Sequence, residues 1–386
     1  MSAFELPTDA GTAKWSPSGR TPPKPPTTPP SARIAYAAAH IVTDPLKPDN
    51  HPGPALDWDA TLAFREYLWS CGLGVAEAMD TAQRGMGLDW AATRELVRRT
   101  GDVAAGRAWV AGAGTDQLPP GPAGLPAVVD AWREQLDLVV AAGAVPVVMA
   151  SRALAAAADG PGDYHAAYGK LLSSAPGPVL LHWLGAQFDP ALSGYWGHDD
   201  LRACARELAA LCAEHRDVVA GVKVSVLDAD LEIEFRRSLP DDVACYTGDD
   251  FHYPALIAGD TGGPGEKRHS EALLGIFDPI APVAGAALAR LDAGDTAGFH
   301  ALLDPTVALA REIFRAPTRH YKTGVVFLAY LNGHQRHFRM VGGHESARSI
   351  THLAQLLRLA DAAGVLTDPD LAMARMRPLL AASGLW

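Results

Sequence analysis

Only seven lysines serve the 386-residue chain, and Lys223 stands apart from the other six. It sits inside the apolar run "DVVAGVKVSVLDAD", with Val, Gly and Ala on both sides. An unpaired ammonium is costly to bury, so a lysine in this setting is neutral, paired or reactive. Apolar surroundings lower its pKa and expose the neutral amine, the form that attacks a carbonyl carbon to make a Schiff base. The other reading is a structural lysine paired with a buried carboxylate. His182, in "PVLLHWL", either shuttles protons near neutral pH or packs beside Trp183 as a core histidine. Arg84 and Arg152 are candidate cations for a substrate carboxylate or phosphate, and equally candidates for ordinary salt bridges. Asp249, Asp250, His252 and Glu271 form a further polar group near strand ends. They either hold a divalent metal or cap helices and line a pocket. With no HxH, no HExxH and no tight acidic triplet, neither a metal nor another cofactor is expected.

A large core must hold these groups in place. Hydrophobic content of 48% and charged content of 20% describe an ordinary globular protein. A formal net charge of −11, with no basic patch interleaved with aromatics, excludes a general nucleic-acid or anionic-membrane binder. The four cysteines form no CxxC pair and no disulfide framework, which fits a reducing cytoplasm. The first residues lack a signal-peptide pattern, and "LDLVVAAGAVPVVMAS" is too short and broken to span a bilayer.

Residues 1–32 contain "TPPKPPTTPP", which favours extended polyproline geometry and predicts an arm, free or wrapped on the surface. Eight short apolar runs then alternate with amphipathic stretches: 32–42, 74–79, 107–114, 145–150, 178–184, 218–226, 243–248 and 271–277. Strands apolar on both faces, each followed by a helix, predict a parallel sheet covered by helices. Eight repeats in about 250 residues predict an α/β fold, a (β/α)8 TIM barrel over 33–292. An open doubly wound sheet is the alternative, but no Gly-rich fingerprint follows the first strand. Beyond 292 the periodicity is helical without strands, predicting a C-terminal helical appendage over 293–386. If Val222, Val224 and Val226 pack on the helices, then Gly221, Lys223 and Ser225 face the barrel axis.

"AGVKVS" followed by "CYTGDDFHYPALIAGD" resembles strands six and seven of the dihydrodipicolinate synthase / N-acetylneuraminate lyase family of class I, Schiff-base aldolases. "HIVTDPL", "VAGAGTD", "AGAVPVVMA" and "GIFDPIAP" are similar to its strand ends one, three, four and eight. The resemblance implies a Schiff base on Lys223 with a small-molecule carbonyl substrate, a homo-oligomer, and Ser225, Asp249 and Asp250 at the pocket. The family's carboxylate-holding turn falls on Asp80–Thr81–Ala82–Gln83–Arg84, so Thr81 and Arg84 become substrate-binding candidates. Its proton-relay tyrosine falls on His182. The lysine is kept while the recognition set is rewritten, so a small 2-oxo acid or a related carbonyl compound is the expected substrate. The alternatives are a non-catalytic metabolite-binding barrel and a metal-dependent barrel enzyme.

Overall fold

The computed structural model describes residues 4–47, 53–260 and 268–385. Two strands precede the barrel: β1 (Phe4–Thr8) and β2 (Gly11–Trp15) form an antiparallel hairpin. Phe4 and Leu6 of this hairpin are buried, and Arg358 donates to the carbonyls of Leu6 and Pro7 at 3.0 and 3.1 Å. The Pro-rich segment then runs extended along the outside. Ser18 is fastened to the Asp361 carboxylate and Ser31 to that of Asp292. Pro26 and Pro30 press on Gly72, where φ is +81° and a Cβ would stand 2.9 Å from Pro30 Cδ. Only glycine suits both that backbone and that closeness.

The eight apolar runs become eight parallel strands. They are β3 (Ala35–Ala38), β4 (Gly74–Glu77), β5 (Trp109–Ala113), β6 (Val145–Val148), β7 (Val179–Leu184), β8 (Val219–Ser225), β9 (Ala244–Thr247) and β10 (Glu271–Leu274). Each pairs with the next, and β10 pairs with β3 to close the barrel. Several of the intervening helices begin at side-chain caps: Asp57, Asp89, Asp200 and Asp228 each accept a backbone N–H of the first turn. After the helix Ala281–Asp292 the chain is helical among the described residues, with Tyr321–Leu331 buried along its whole length.

Two apolar layers follow from strand alternation. Val222, Val224 and Val226 join Leu181, Trp183 and helix residues such as Leu208 and Phe235 in the outer layer. Ala38, Ala76, Met79, Val110, Met149, Leu180 and Tyr246 fill the barrel interior. One irregularity decides what β8 presents inward. Val179 pairs with Val219, but Leu180 pairs with Gly221, so Ala220 is an extra residue. A bulge of this kind resets the alternation. Val219 packs outward, and so does Val222, three residues on. Without the bulge Lys223 would share the outward parity of Val219.

Candidate active site

Lys223 lies opposite His182 on β7 and Tyr246 on β9, inside the barrel. It is only 7% exposed, and among the described residues no hydrogen bond or ion pair holds its ammonium. Burial lowers its pKa, while the charges of Asp80 and then Asp250 pull the other way. Room for the side chain comes from Gly248 at the end of β9. A Cβ there would stand 3.0 Å from Lys223 Cε and closer still to Ser225 Oγ.

His182 is buried, and its Nε2 lies 3.2 Å from Ser225 Oγ. Its Nδ1 has no hydrogen-bond partner among the described residues. Burial, followed by the Lys223 charge, pushes its pKa well below the usual histidine value, so the ring is neutral at neutral pH. Asp250 is buried, and its Oδ1 accepts the Ile276 N–H at 2.8 Å. Burial raises its carboxyl to about 7, against the attraction of Lys223. Thr81 Oγ1 sits 2.9 Å from the Tyr321 hydroxyl. Lys223, His182, Ser225, Asp250 and Thr81 therefore gather around the barrel mouth.

Arg84 and Asp249 are spent elsewhere. Arg84 bonds the Asp116 carboxylate, Gln135 Oε1 at 2.7 Å and the carbonyls of Ala78 and Gly112, so its donors are taken by protein groups. Asp249 accepts the N–H groups of Phe251 and His252 and pairs with His252 Nδ1 at 2.8 Å, capping the turn after β9. Arg152 is ion-paired with Asp189 at 2.5 Å. Glu271 bonds the Ile34 N–H and neighbours His269, away from Asp249 and Asp250. Among the described residues no three His, Cys, Asp or Glu side chains converge as ligands of a metal ion would.

Three groups escaped the reading of the sequence. Asp80, in the single turn after β4, exerts the strongest attraction of any carboxylate on Lys223, and it faces Tyr321 as well. Tyr321 comes from the C-terminal helices, stacked on Phe314 at 4.4 Å, and brings its hydroxyl to Thr81. Lys322, next to it, appears in the sequence amid polar neighbours, yet it is 5% exposed. Its Nζ lies 4.8 Å from the Tyr321 ring centre, and its hydrogen-bond partners among the described residues are Met86 Sδ and the Arg319 carbonyl, both at 3.4 Å. Burial lowers its pKa to about 8, against the pull of Asp80 and Asp189. The single cue in the sequence to Asp80 was its place in the turn. Nothing local marks Tyr321 or Lys322, because only the tertiary fold carries that helix to the mouth.

A cavity of about 480 Å³ opens beside these groups, lined by Asp80, Arg84, Thr115, Met149, Arg152 and Asp189 among others. Lys223 and His182 do not line it, whereas Asp80, whose charge acts on Lys223, does. That volume suits a small metabolite.

A family model described as a protein of unknown function, DUF993, matches residues 4–385. Among curated proteins none matches. Among solved structures, the chain is similar to dihydrodipicolinate synthase from Aquifex aeolicus, with 12% identity and a TM-score of 0.61, over 92% of this chain and 98% of that one. It is similar to the Thermotoga maritima enzyme of the same name, with 14% identity and a TM-score of 0.63, over 86% and 100% of the two chains. It is also similar to YagE, a prophage protein of the dihydrodipicolinic acid synthase family from E. coli K12 solved with pyruvate. There the identity is 16% and the TM-score 0.65, over 86% and 99% of the chains. At such identities the likeness establishes the shared fold: an eight-stranded parallel barrel with C-terminal helices.

Proposed function

The chain belongs to the DUF993 family, and from its lysine-centred barrel mouth we propose that it is a class I, Schiff-base aldolase or lyase. Its substrate is a small carbonyl compound, a 2-oxo acid or a relative of one. The observation that carries this reading is Lys223 itself: buried, turned inward by a bulge, and held by no hydrogen bond or ion pair among the described residues. A structural lysine would have a carboxylate in contact. Here Asp80 and Asp250 act on it only through space. YagE, of the same fold, is solved with pyruvate, which is consistent with a carbonyl ligand at such a mouth.

The neutral Lys223 amine attacks the carbonyl carbon. The new C–N bond forms as the C=O pair moves to oxygen, and the oxygen departs as water after receiving two protons. His182 is neutral and 3.2 Å from Ser225 Oγ, so the pair is suited to taking the amine's proton. The Tyr321–Thr81 pair supplies a second hydroxyl chain at the mouth. Once the imine is protonated, Asp80 and Asp250 are its counter-charges, and the cationic nitrogen draws electrons from the adjacent carbon–carbon bond. The homo-oligomer implied by the resemblance is part of the same proposal, and sedimentation velocity reads it directly.

Borohydride tests the chemistry. A panel of 2-oxo acids, ketones and aldehydes is incubated with the protein and reduced. The intact mass should rise by one substrate less one oxygen atom, and Lys223→Met should abolish the gain. A gain that persists in Lys223→Met would refute the assignment.

A further inference from the structure

We infer that the carbonyl substrate carries an oxyanion, a carboxylate or a phosphate, at the end remote from its carbonyl, and that Arg152 and Thr115 receive it. The inference rests on the Schiff-base reading above and narrows its substrate class.

The first observation is the state of Arg152. It lines the cavity with its side chain 55% exposed, and Asp189 holds it through Nε alone, at 2.5 Å. Among the described residues Nη1 and Nη2 have no hydrogen-bond partner. The ion pair thus fixes the guanidinium and leaves its outer edge open, the edge that grips a carboxylate or phosphate with two N–H groups. Gly85 keeps that edge clear, since a Cβ there would stand 3.1 Å from Nη2 and 3.2 Å from Nη1. Arg84, the other arginine of the cavity, has every donor nitrogen taken by protein groups.

The second observation is a spare hydroxyl proton beside it. Thr115 lines the cavity, is 8% exposed, and its Oγ1 lies 2.7 Å from the hydroxyl of Ser151, the residue before Arg152. Ser151 Oγ also accepts the Leu154 N–H. Two hydroxyls joined by one bond leave one proton over, and with Ser151 donating it is the Thr115 proton, at the cavity wall.

The third observation is where this end lies. The cavity also touches Met149, of the barrel-interior layer, and Leu184, which pairs with Ser225 two residues beyond Lys223. A carbonyl held at Lys223 therefore has its chain led past Leu184 and Met149 to Arg152, on the helix after β6, several bonds away. The acids of the cavity have partners of their own. Asp116 bonds Arg84, Asp189 also caps Ala191, and Asp89 accepts the Ala92 N–H. Asp80 remains, and Lys322, whose Nζ packs on Met86 next to Gly85, is set against it. Apart from Asp189, no acid among the described residues is in ion-pair contact with Arg152.

Two pairs of probes matched except for the terminal anion test this: 2-oxoglutarate against 2-oxopentanoate, and dihydroxyacetone phosphate against dihydroxyacetone. Each is incubated with the protein at equal low concentration and reduced. Imine formation releases water, and hydride from borohydride then converts C=N to a secondary amine that survives mass analysis. In one pair the anionic-tailed member should be trapped on Lys223 roughly tenfold or more faster, the worth of a hydrogen bond to a charged group. The first pair reads a carboxylate tail and the second a phosphate. Arg152→Gln should bring that ratio to parity, and Arg152→Lys, which keeps the charge without the fork, should leave it between. Thr115→Val should lower it in part. Adducts on Lys223 with no preference in either pair, or a preference unmoved by Arg152→Gln, overturn the inference and leave the Schiff base standing. No adduct with any probe overturns the Schiff-base reading, and calorimetry then judges the anion site alone. One anionic-tailed probe must bind the wild-type protein more tightly than its matched partner, and Arg152→Gln must remove the difference; equal binding overturns the site as well.

Discussion

The protonation of Lys223 is set by a competition between burial and two carboxylates. Burial favours the neutral amine, and Asp80 and Asp250 favour the ammonium. Removing one of those charges therefore pushes the lysine further toward the neutral form. Asp250→Asn keeps an oxygen able to accept the Ile276 N–H and removes the charge. The pH dependence of imine formation should then shift to lower pH than in the wild-type protein, as read from the rate of borohydride-trapped adduct between pH 5 and 10. A shift to higher pH would contradict the role given to Asp250. At this scale the sequence was legible only in part. The lysine showed itself by its apolar flanks, and His182 by its place in a strand. Arg84 had the right residue type and turn, but Asp116, thirty-two positions away, claims it. Tyr321 and Lys322 stand 240 and 236 positions from Thr81 and Met86, the partners that place them at the mouth.

Elements make the site by small departures from regularity. The extra residue at Ala220 turns β8 so that an amine faces the barrel axis, and Gly248, just past the end of the neighbouring strand, leaves the space it occupies. Strand identity was legible because apolar runs such as "VPVVMA" and "PVLLHWL" are bounded by turns and followed by helical periodicity. The bulge was not, since "VVAGVKVSV" is apolar throughout its first half and nothing in it marks Ala220 as an extra residue. The helix Ala229–Ser238 is tied to β9 by a buried carboxyl: Glu232 accepts from Thr247 Oγ1 at 3.0 Å and Ser270 Oγ at 2.7 Å. Burial raises Glu232 to about 8. The folded state thus holds a proton that the unfolded chain releases near 4.5, and stability falls as pH rises from about 4.5 to 8. Glu232→Gln should flatten that slope and gain up to about 4 kcal/mol at pH 8, measured by denaturant unfolding at pH 5 and pH 8. An unchanged slope would show that Glu232 is ionised in the fold.

On the scale of the whole molecule, the C-terminal helices complete the barrel mouth, and the N-terminal segment fastens those helices in place. Composition predicted extended geometry for the Pro-rich stretch, and the structure lays it from Asp361 to Asp292 along the outside. The hairpin ahead of it has no such signature: "FELPT" and "GTAKW" pair only because Phe4 and Leu6 find an apolar seat. Asp361→Ala removes the acceptor of the Ser18 N–H at 2.9 Å and of its hydroxyl at 2.9 Å. The loss should cost roughly 1.5–3 kcal/mol and lower Tm by several degrees in calorimetry. An unchanged Tm would mean the strap contributes nothing to stability. Among the described residues no helix is long and apolar enough to cross a membrane. The molecule presents two buried lysines at one mouth, and that pairing supplies the sharpest test of the account. Peptide mapping of the protein after carbonyl incubation and borohydride reduction should place the adduct on Lys223, with Lys322 unmodified. An adduct on Lys322 with Lys223 untouched would contradict it.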